Sequence, residues 1–174
     1  YCGDGKGKTT AAMGLALRAA GSGMKVYIVQ LLKGADTSEL ASLKLIPNIT
    51  VARCDKNYGF TFSMTEENMR LMTECHNKLL SDAEAAAKSG EYGMLIIDEF
   101  NAAYEYGYLD RKLADRIVLQ KPEALELVLT GRDPQQKFID AADYVSEIKA
   151  VKSKPHCGGR FAFSVAAVNV NKSH

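Results

Sequence analysis

Between residues 3 and 10 the chain reads Gly3-Asp4-Gly5-Lys6-Gly7-Lys8-Thr9-Thr10. Glycines lack a Cβ, so backbone N–H groups in such a turn can converge on phosphate oxygens. Lys8 adds a mobile positive charge, and the Thr9 hydroxyl suits a Mg²⁺ ligand. An apolar helical pattern follows at once and points the positive end of its dipole at the same place. These residue types at this spacing suit the binding of a nucleotide polyphosphate, with Gly3, Asp4, Gly5, Lys6, Gly7, Lys8, Thr9 and Thr10 as the contact set. The spacing is not the usual G-x-x-x-x-G-K-S/T, whose first glycine would fall on Cys2. The displaced glycines and the extra lysine predict a loop that grips phosphates differently from an ordinary ATPase. A glycine-rich turn that merely caps a helix is the alternative.

Further chemistry-bearing residues sit where apolar runs end. Asp98 and Glu99 close MLIIDEF. An acidic residue at the carboxyl end of a buried strand beside such a loop holds Mg²⁺ directly or through water; capping the next helix is the other use. Thr130-Gly131-Arg132 ends another apolar run, where ligands of parallel α/β folds bind. Arg132 there suits a phosphate oxygen or a ribose, or is an exposed loop arginine. Arg18 lies ten residues past Lys8, nearly three helical turns away, and its position favours a salt bridge over a substrate contact. Phe60 and Phe62, in Tyr58-Gly59-Phe60-Thr61-Phe62, share one side of an extended segment and form either a core edge or a flat apolar ligand surface.

The elements that must position these groups alternate. Helical patterns are expected over 8–20, 37–45, 66–88, 99–106, 110–120 and 134–142, the last with Asp133 as N-cap and Pro134 in its first turn. Strands are expected over 25–32, 49–54, 94–98, 125–130 and 144–149, mostly as unbroken apolar runs. Strands alternating with helices predict a mostly parallel sheet covered on both faces. A strand normally enters a phosphate loop. Here it lies either outside this numbering or in the apolar stretch 161–170. The length of 174 residues suffices for one α/β domain. The net charge of +1 gives no field that would argue for nucleic acid. No run approaches the ~18 apolar residues of a membrane span, and no secretory signal is visible. Cys2, Cys54, Cys75 and Cys157 form no C-x-x-C pair, which favours reduced thiols in the cytoplasm.

Taken together, the glycine loop with Thr10-Ala11-Ala12, Gln30-Leu31-Leu32-Lys33-Gly34, Gly59-Phe60-Thr61-Phe62, Asp98-Glu99 and Thr130-Gly131-Arg132 resemble the P-loop ATP:corrinoid adenosyltransferases, over roughly residues 2–152. That family also acts as cob(I)yrinic acid a,c-diamide adenosyltransferase. The resemblance implies a RecA-like P-loop fold over 1–152, followed by an atypical tail over 153–174 that includes a candidate strand. It implies transfer of the 5′-deoxyadenosyl group of ATP to a cobalt(I) corrinoid with release of triphosphate, ATP lying reversed in the loop. Mg²⁺ accompanies ATP on Thr9, Asp98 and Glu99. Lys8 and Thr9 serve catalysis, and Arg18 and Arg132 join the nucleotide contacts. Phe60 and Phe62 cover the lower face of the corrin, Phe62 standing where the family usually has Trp. A flavoprotein reductase as electron donor and a homodimer are implied as well. A conventional ATPase or kinase, and a regulatory protein that binds ATP without chemistry, are the competing readings.

Overall fold

Because both faces of the strands are apolar, both must be covered. The computed structural model describes residues 1–33, 38–54 and 64–152. Its elements run α1 (Lys8–Gly21), β1 (Val26–Gln30), α2 (Ser38–Leu43), β2 (Ile49–Arg53), α3 (Glu66–Lys88), β3 (Met94–Asp98), α4 (Phe100–Glu105), α5 (Arg111–Leu119), β4 (Glu126–Leu129) and α6 (Gln136–Asp140). The strands make one sheet in the order β2-β1-β3-β4, and every ladder is parallel. Alternation sorts the side chains. Val26 and Ile28 of β1 and Met94 and Ile96 of β3 pack with Ala12, Met13, Ala16 and Ala20 of α1. Val29, Leu95 and Ile97 face the other way, onto Leu79, Leu80, Ala83 and Ala87 of α3, where Phe100, Tyr104, Ile117 and Phe138 extend the cluster. The expected parallel α/β architecture is thus the observed one.

The chain leaves β1 for β2 on one side, while β3 and β4 lie on the other. The carboxyl ends of β1 and β3 therefore flank the switch point where ligands enter such sheets. Helix α1 runs back along the sheet, so its first turn arrives at that same edge. Helix α3 reaches the edge as well. Thr65 caps it by accepting a hydrogen bond from the Asn68 N–H at 3.2 Å. Its buried stripe is Met72, His76, Leu79, Leu80, Ala83 and Ala87. His76 is the polar member: its Nε2 accepts the Leu32 N–H at 3.3 Å. Leu32 has φ 57, so β1 ends in a left-handed corner that this imidazole holds.

Four expectations are corrected. The stretch 144–149 is no strand; it makes a single parallel bridge, Cys2 with Glu147. Past Cys2 the partner segment turns into the glycine loop at Gly3, so the pairing does not continue in that direction. Strand β1 stops at Gln30, short of 32, because of the Leu32 corner. Helix α6 begins at Gln136 after an N-cap at Gln135, not at Asp133. Asp133 has φ 42, far from the extended conformation an N-cap needs. Finally, Cys54 and Cys75 are joined as a disulfide with their Cα atoms 6.1 Å apart, where thiols were expected. The fold carries Cys54, just past β2, up to α3, a juxtaposition that a separation of 21 residues does not advertise. Cys2 is free; Cys157 and the tail 153–174 lie outside the described residues.

The glycine loop rests on the 146–150 segment. Cys2 N–H donates to Ser146 O and Ile148 N–H to Cys2 O, both at 2.9 Å, and Gly5 N–H donates to Ile148 O at 2.7 Å. Tyr1 in turn bonds Leu129 O and receives the Gly131 N–H. Tyr1 and Cys2 thus sit between the end of β4 and 146–148, the place of a strand entering the loop. The other candidate for that place, 161–170, is outside the described residues. A Cβ at Gly5 would lie 2.6 Å from Ile148 O, and one at Gly3 2.5 Å from the same atom. Gly5→Ala should therefore cost about 1–3 kcal/mol in a urea melt, because backbone rather than a flexible side chain must yield. An unchanged melt would show the contact to be adjustable.

His76 makes stability fall with acidity. Burial lowers its pKa from 6.5 to about 4. Above pH 6.5 the imidazole is neutral in both states. As pH falls towards 4 the unfolded chain takes up the proton and the native one does not, so stability is lost over that window, up to about 3 kcal/mol. His76→Phe should be less stable at pH 7, because the Leu32 N–H loses its acceptor, yet should lose less between pH 7 and 4. Parallel slopes for the two proteins in pH-dependent denaturation would refute this.

Candidate nucleotide site

The first turn of α1 is built open. Its N-cap is Gly7, at φ 114, which supplies no side-chain acceptor, and no acidic residue occupies the turn. The leading amides and the positive helix end are thus left to a ligand. Lys8 folds back over the loop, donating from Nζ to Gly3 O and Gly5 O at 2.7 Å each. Two neutral carbonyls are weaker partners for an ammonium than phosphate oxygens would be. Asp4, Lys6 and Thr10 are exposed around the rim, and Asp4 Oδ1 accepts the Ala150 N–H at 3.3 Å. The Gly5 amide is already committed to Ile148, so the phosphate donors of this loop narrow to the amides on its other positions.

Under that turn lies Asp98, with no exposure to water. Its Oδ1 accepts the Thr9 hydroxyl at 2.9 Å and the Thr130 hydroxyl at 2.6 Å. Its Oδ2 receives Lys33 Nζ at 2.5 Å, and the same ammonium reaches Thr9 Oγ1 at 3.2 Å. Glu99 follows in the left-handed region at φ 61, its N–H donating to Thr130 Oγ1 at 2.9 Å. A non-glycine residue held there costs about 1–3 kcal/mol, and such strain concentrates at functional sites. Burial, then the Asp98 charge, raise the pKa of the Glu99 carboxyl, with Lys33, Lys8 and Arg132 pulling the other way.

Gln30 faces Asp98 across the β1–β3 ladder. It is 1% exposed, and neither of its amide atoms has a partner among the described residues. By alternation it points, like Val26, Ile28 and Asp98, to the α1 side. An orphaned amide beside a buried carboxylate costs stability and calls for a polar occupant. Hydroxyl, carboxylate and amide oxygens are the donors a hard divalent cation takes. No group of three or more His, Cys, Asp or Glu converges among the described residues, so phosphate and water would have to complete such a coordination shell.

The structure therefore brings together Lys8, Thr9, Asp98 and Glu99. Arg132 stands exposed just past Gly131, whose own Cβ would meet Asn101 Cβ at 2.8 Å, and it contributes to the field at Glu99. Arg18 does not join them: it is exposed in the last turn of α1, about 15 Å along the helix from Lys8, and forms no ion pair among the described residues. Phe60 and Phe62 lie outside the described residues. Four contributors escaped the reading of the sequence. Thr130 and Lys33 stood in quoted motifs without a role; their signal is a polar residue at the carboxyl end of a buried strand. Gln30 offered the same signal. His76 offered little, as a polar residue on an otherwise apolar helix stripe.

Comparison with known proteins bears on this arrangement. Residues 1–160 match the family model described as ATP:corrinoid adenosyltransferase BtuR/CobO/CobP. A corrinoid adenosyltransferase of Pseudomonas aeruginosa is 37% identical over 155 residues, spanning 87% of this chain and 74% of that protein. One from Escherichia coli is 31% identical over 152 residues, spanning 87% and 76%. Corrinoid adenosyltransferase CobA of Salmonella typhimurium is 30% identical over 152 residues, with the same shares. With its parallel sheet, its glycine-lysine-threonine loop at a helix start and a family match over nearly the whole described chain, this protein belongs to the ATP:corrinoid adenosyltransferases, enzymes of P-loop fold that move an adenosyl group onto a corrinoid.

Proposed function

We propose that the loop and first turn of α1 hold the triphosphate of ATP so that the ribose C5′, rather than a terminal phosphorus, faces a cobalt(I) corrinoid. One observation carries this reading: the Thr9 hydroxyl bonded to the fully buried Asp98 at the mouth of an uncapped helix, beside the unsatisfied Gln30 amide. That is a site for an anion and a hard cation together. When bound there, Mg²⁺ would screen charge on the triphosphate. Thr9, Asp98 and Glu99 are the residues that would hold it. Lys8 exchanges its two loop carbonyls for phosphate oxygens. Gly3, Asp4, Gly5, Lys6, Gly7 and Thr10 shape the loop, and Arg132 extends positive charge towards the nucleotide. Arg18, about 15 Å along α1 from Lys8, takes no part in this phosphate grip.

The reaction then needs little from acid–base chemistry. Cobalt(I) supplies the electron pair of the new cobalt–carbon bond, the C5′–O bond breaks, and its pair leaves on triphosphate. No proton moves, and the work of the protein is to place the carbon and stabilise spreading negative charge. Phe60 and Phe62 are proposed to close the lower face of the corrin, because phenyl rings fill space without a lone pair to donate to cobalt. A flavoprotein as the electron donor and a homodimer belong to the same reading. So does a cytoplasmic setting. No helix among the described residues is long and apolar enough to cross a membrane.

Anaerobic incubation with MgATP and chemically reduced cob(I)alamin should yield a light-sensitive cobalt–carbon product and triphosphate in equal amounts. ADP or inorganic phosphate as the product would instead identify an ATPase or kinase, and bound but unaltered ATP a regulatory protein. Phe60→Ala should sharply reduce activity when cob(II)alamin and a reductase are supplied while sparing activity on cob(I)alamin. Equal loss on both substrates would remove the proposed role of the ring.

A further inference from the structure

Lys33 stands where the proposed cation belongs. Its Nζ bridges Asp98 Oδ2 at 2.5 Å and Thr9 Oγ1 at 3.2 Å, two of the oxygens assigned above to Mg²⁺. An ammonium and a divalent ion cannot share that position, because both are cations and both need the same lone pairs. The backbone at Leu31, Leu32 and Lys33 is held by three hydrogen bonds. Leu31 N–H donates to Asp98 O at 3.1 Å, Leu32 N–H to His76 Nε2 at 3.3 Å, and Arg53 Nη2 to Lys33 O at 3.2 Å. What remains mobile is the four-carbon stem with its three rotatable donors. Glu39 lies 3.9 Å from Nζ, an ion-pair distance too long for a hydrogen bond.

We infer that Lys33 is a catalytic residue that exchanges with the metal. In the ligand-free protein its ammonium neutralises the buried Asp98 carboxylate. When Mg²⁺ arrives with ATP, the ammonium gives up Asp98 and Thr9 and moves to the triphosphate, where it stabilises the leaving group as the C5′–O bond breaks. The exchange solves two electrostatic problems with one side chain: a buried carboxylate is never left uncompensated, and a cation is delivered to the phosphates only once the metal is in place. This inference rests on the function proposed above and adds a residue to it.

Mn²⁺ read by electron paramagnetic resonance, and inorganic tripolyphosphate read by calorimetry, test the exchange without turnover. Lys33→Met removes the competing ammonium. Nucleotide-free Lys33→Met should bind Mn²⁺ at least about tenfold more tightly than wild type, and at saturating Mn²⁺ should bind tripolyphosphate at least about tenfold more weakly. Lys33→Gln, which keeps a hydrogen-bond donor for Asp98 but no charge, should move both affinities in the same directions and serves if the Met variant does not fold. Unchanged Mn²⁺ affinity in a folded variant, or tripolyphosphate affinity that does not fall, overturns the exchange while leaving the proposed function standing. Wild-type protein that takes up neither Mn²⁺ nor tripolyphosphate overturns both.

Discussion

A carboxylate shut off from water governs this site. Asp98 ends the central strand β3 with no exposure, and a charge so placed persists only when paired and hydrogen-bonded. Its partners come from three separate parts of the chain: Thr9 from the first turn of α1, Lys33 from the corner after β1, Thr130 from the end of β4. The sheet order puts β1 on one side of β3 and β4 on the other, so those parts can meet only at its carboxyl edge. Satisfying one buried charge thus ties the phosphate loop, both neighbouring strand ends and the left-handed Glu99 corner into a single arrangement. The His76 bond to Leu32 secures the corner that Lys33 needs.

The glycine loop serves the fold and the chemistry at once, and the structure separates the two. Gly3 and Gly5 are excluded from carrying a side chain by the backbone of Ile148, and the Gly5 amide is spent on the same residue. Gly7 adopts φ 114 to start α1 without a side-chain cap. The unusual glycine spacing therefore has a packing cause at positions 3 and 5 and a ligand-facing one at position 7. In the proposed function, phosphate grip falls to the helix end and to Lys8, a shorter cradle than a loop in which every amide is free. A nucleotide held mainly by one end of its triphosphate leaves its other end to be placed by different contacts, which suits a reaction at the sugar.

Much of this was legible in the sequence wherever burial was complete. The strands MLIID and VYIVQ read as unbroken apolar runs because both faces are covered, and α3 was read as a long helix over 66–88. Legibility failed where one residue's backbone decided the outcome. Leu32, Glu99 and Asp133 all take positive φ without being glycine, and no propensity forecasts that; the sites they make are held by partners distant in sequence. The stretch 144–149 was read as a strand, yet in the fold only Glu147 pairs, in one bridge to Cys2. The Cys54–Cys75 contact is a product of topology alone. Lys33 looked like an ordinary turn residue until the fold set it against Asp98.

The same electrostatics bear on what kind of chemistry the site favours. His76 is the one histidine among the described residues, and it is already committed, accepting a backbone N–H with its pKa drawn down to about 4 by burial. It is neutral near pH 7 and turned towards the Leu32 corner, not towards a substrate. Glu99 is pushed upward by burial, but Lys8, Lys33 and Arg132 all oppose that shift. Asp98 already accepts three hydrogen bonds. His76 and Asp98, so occupied, are poor proton carriers, and Asp98 is a good holder of fixed charge. A nucleophile that brings its own electron pair and no proton, as in the proposed reaction, asks for nothing else.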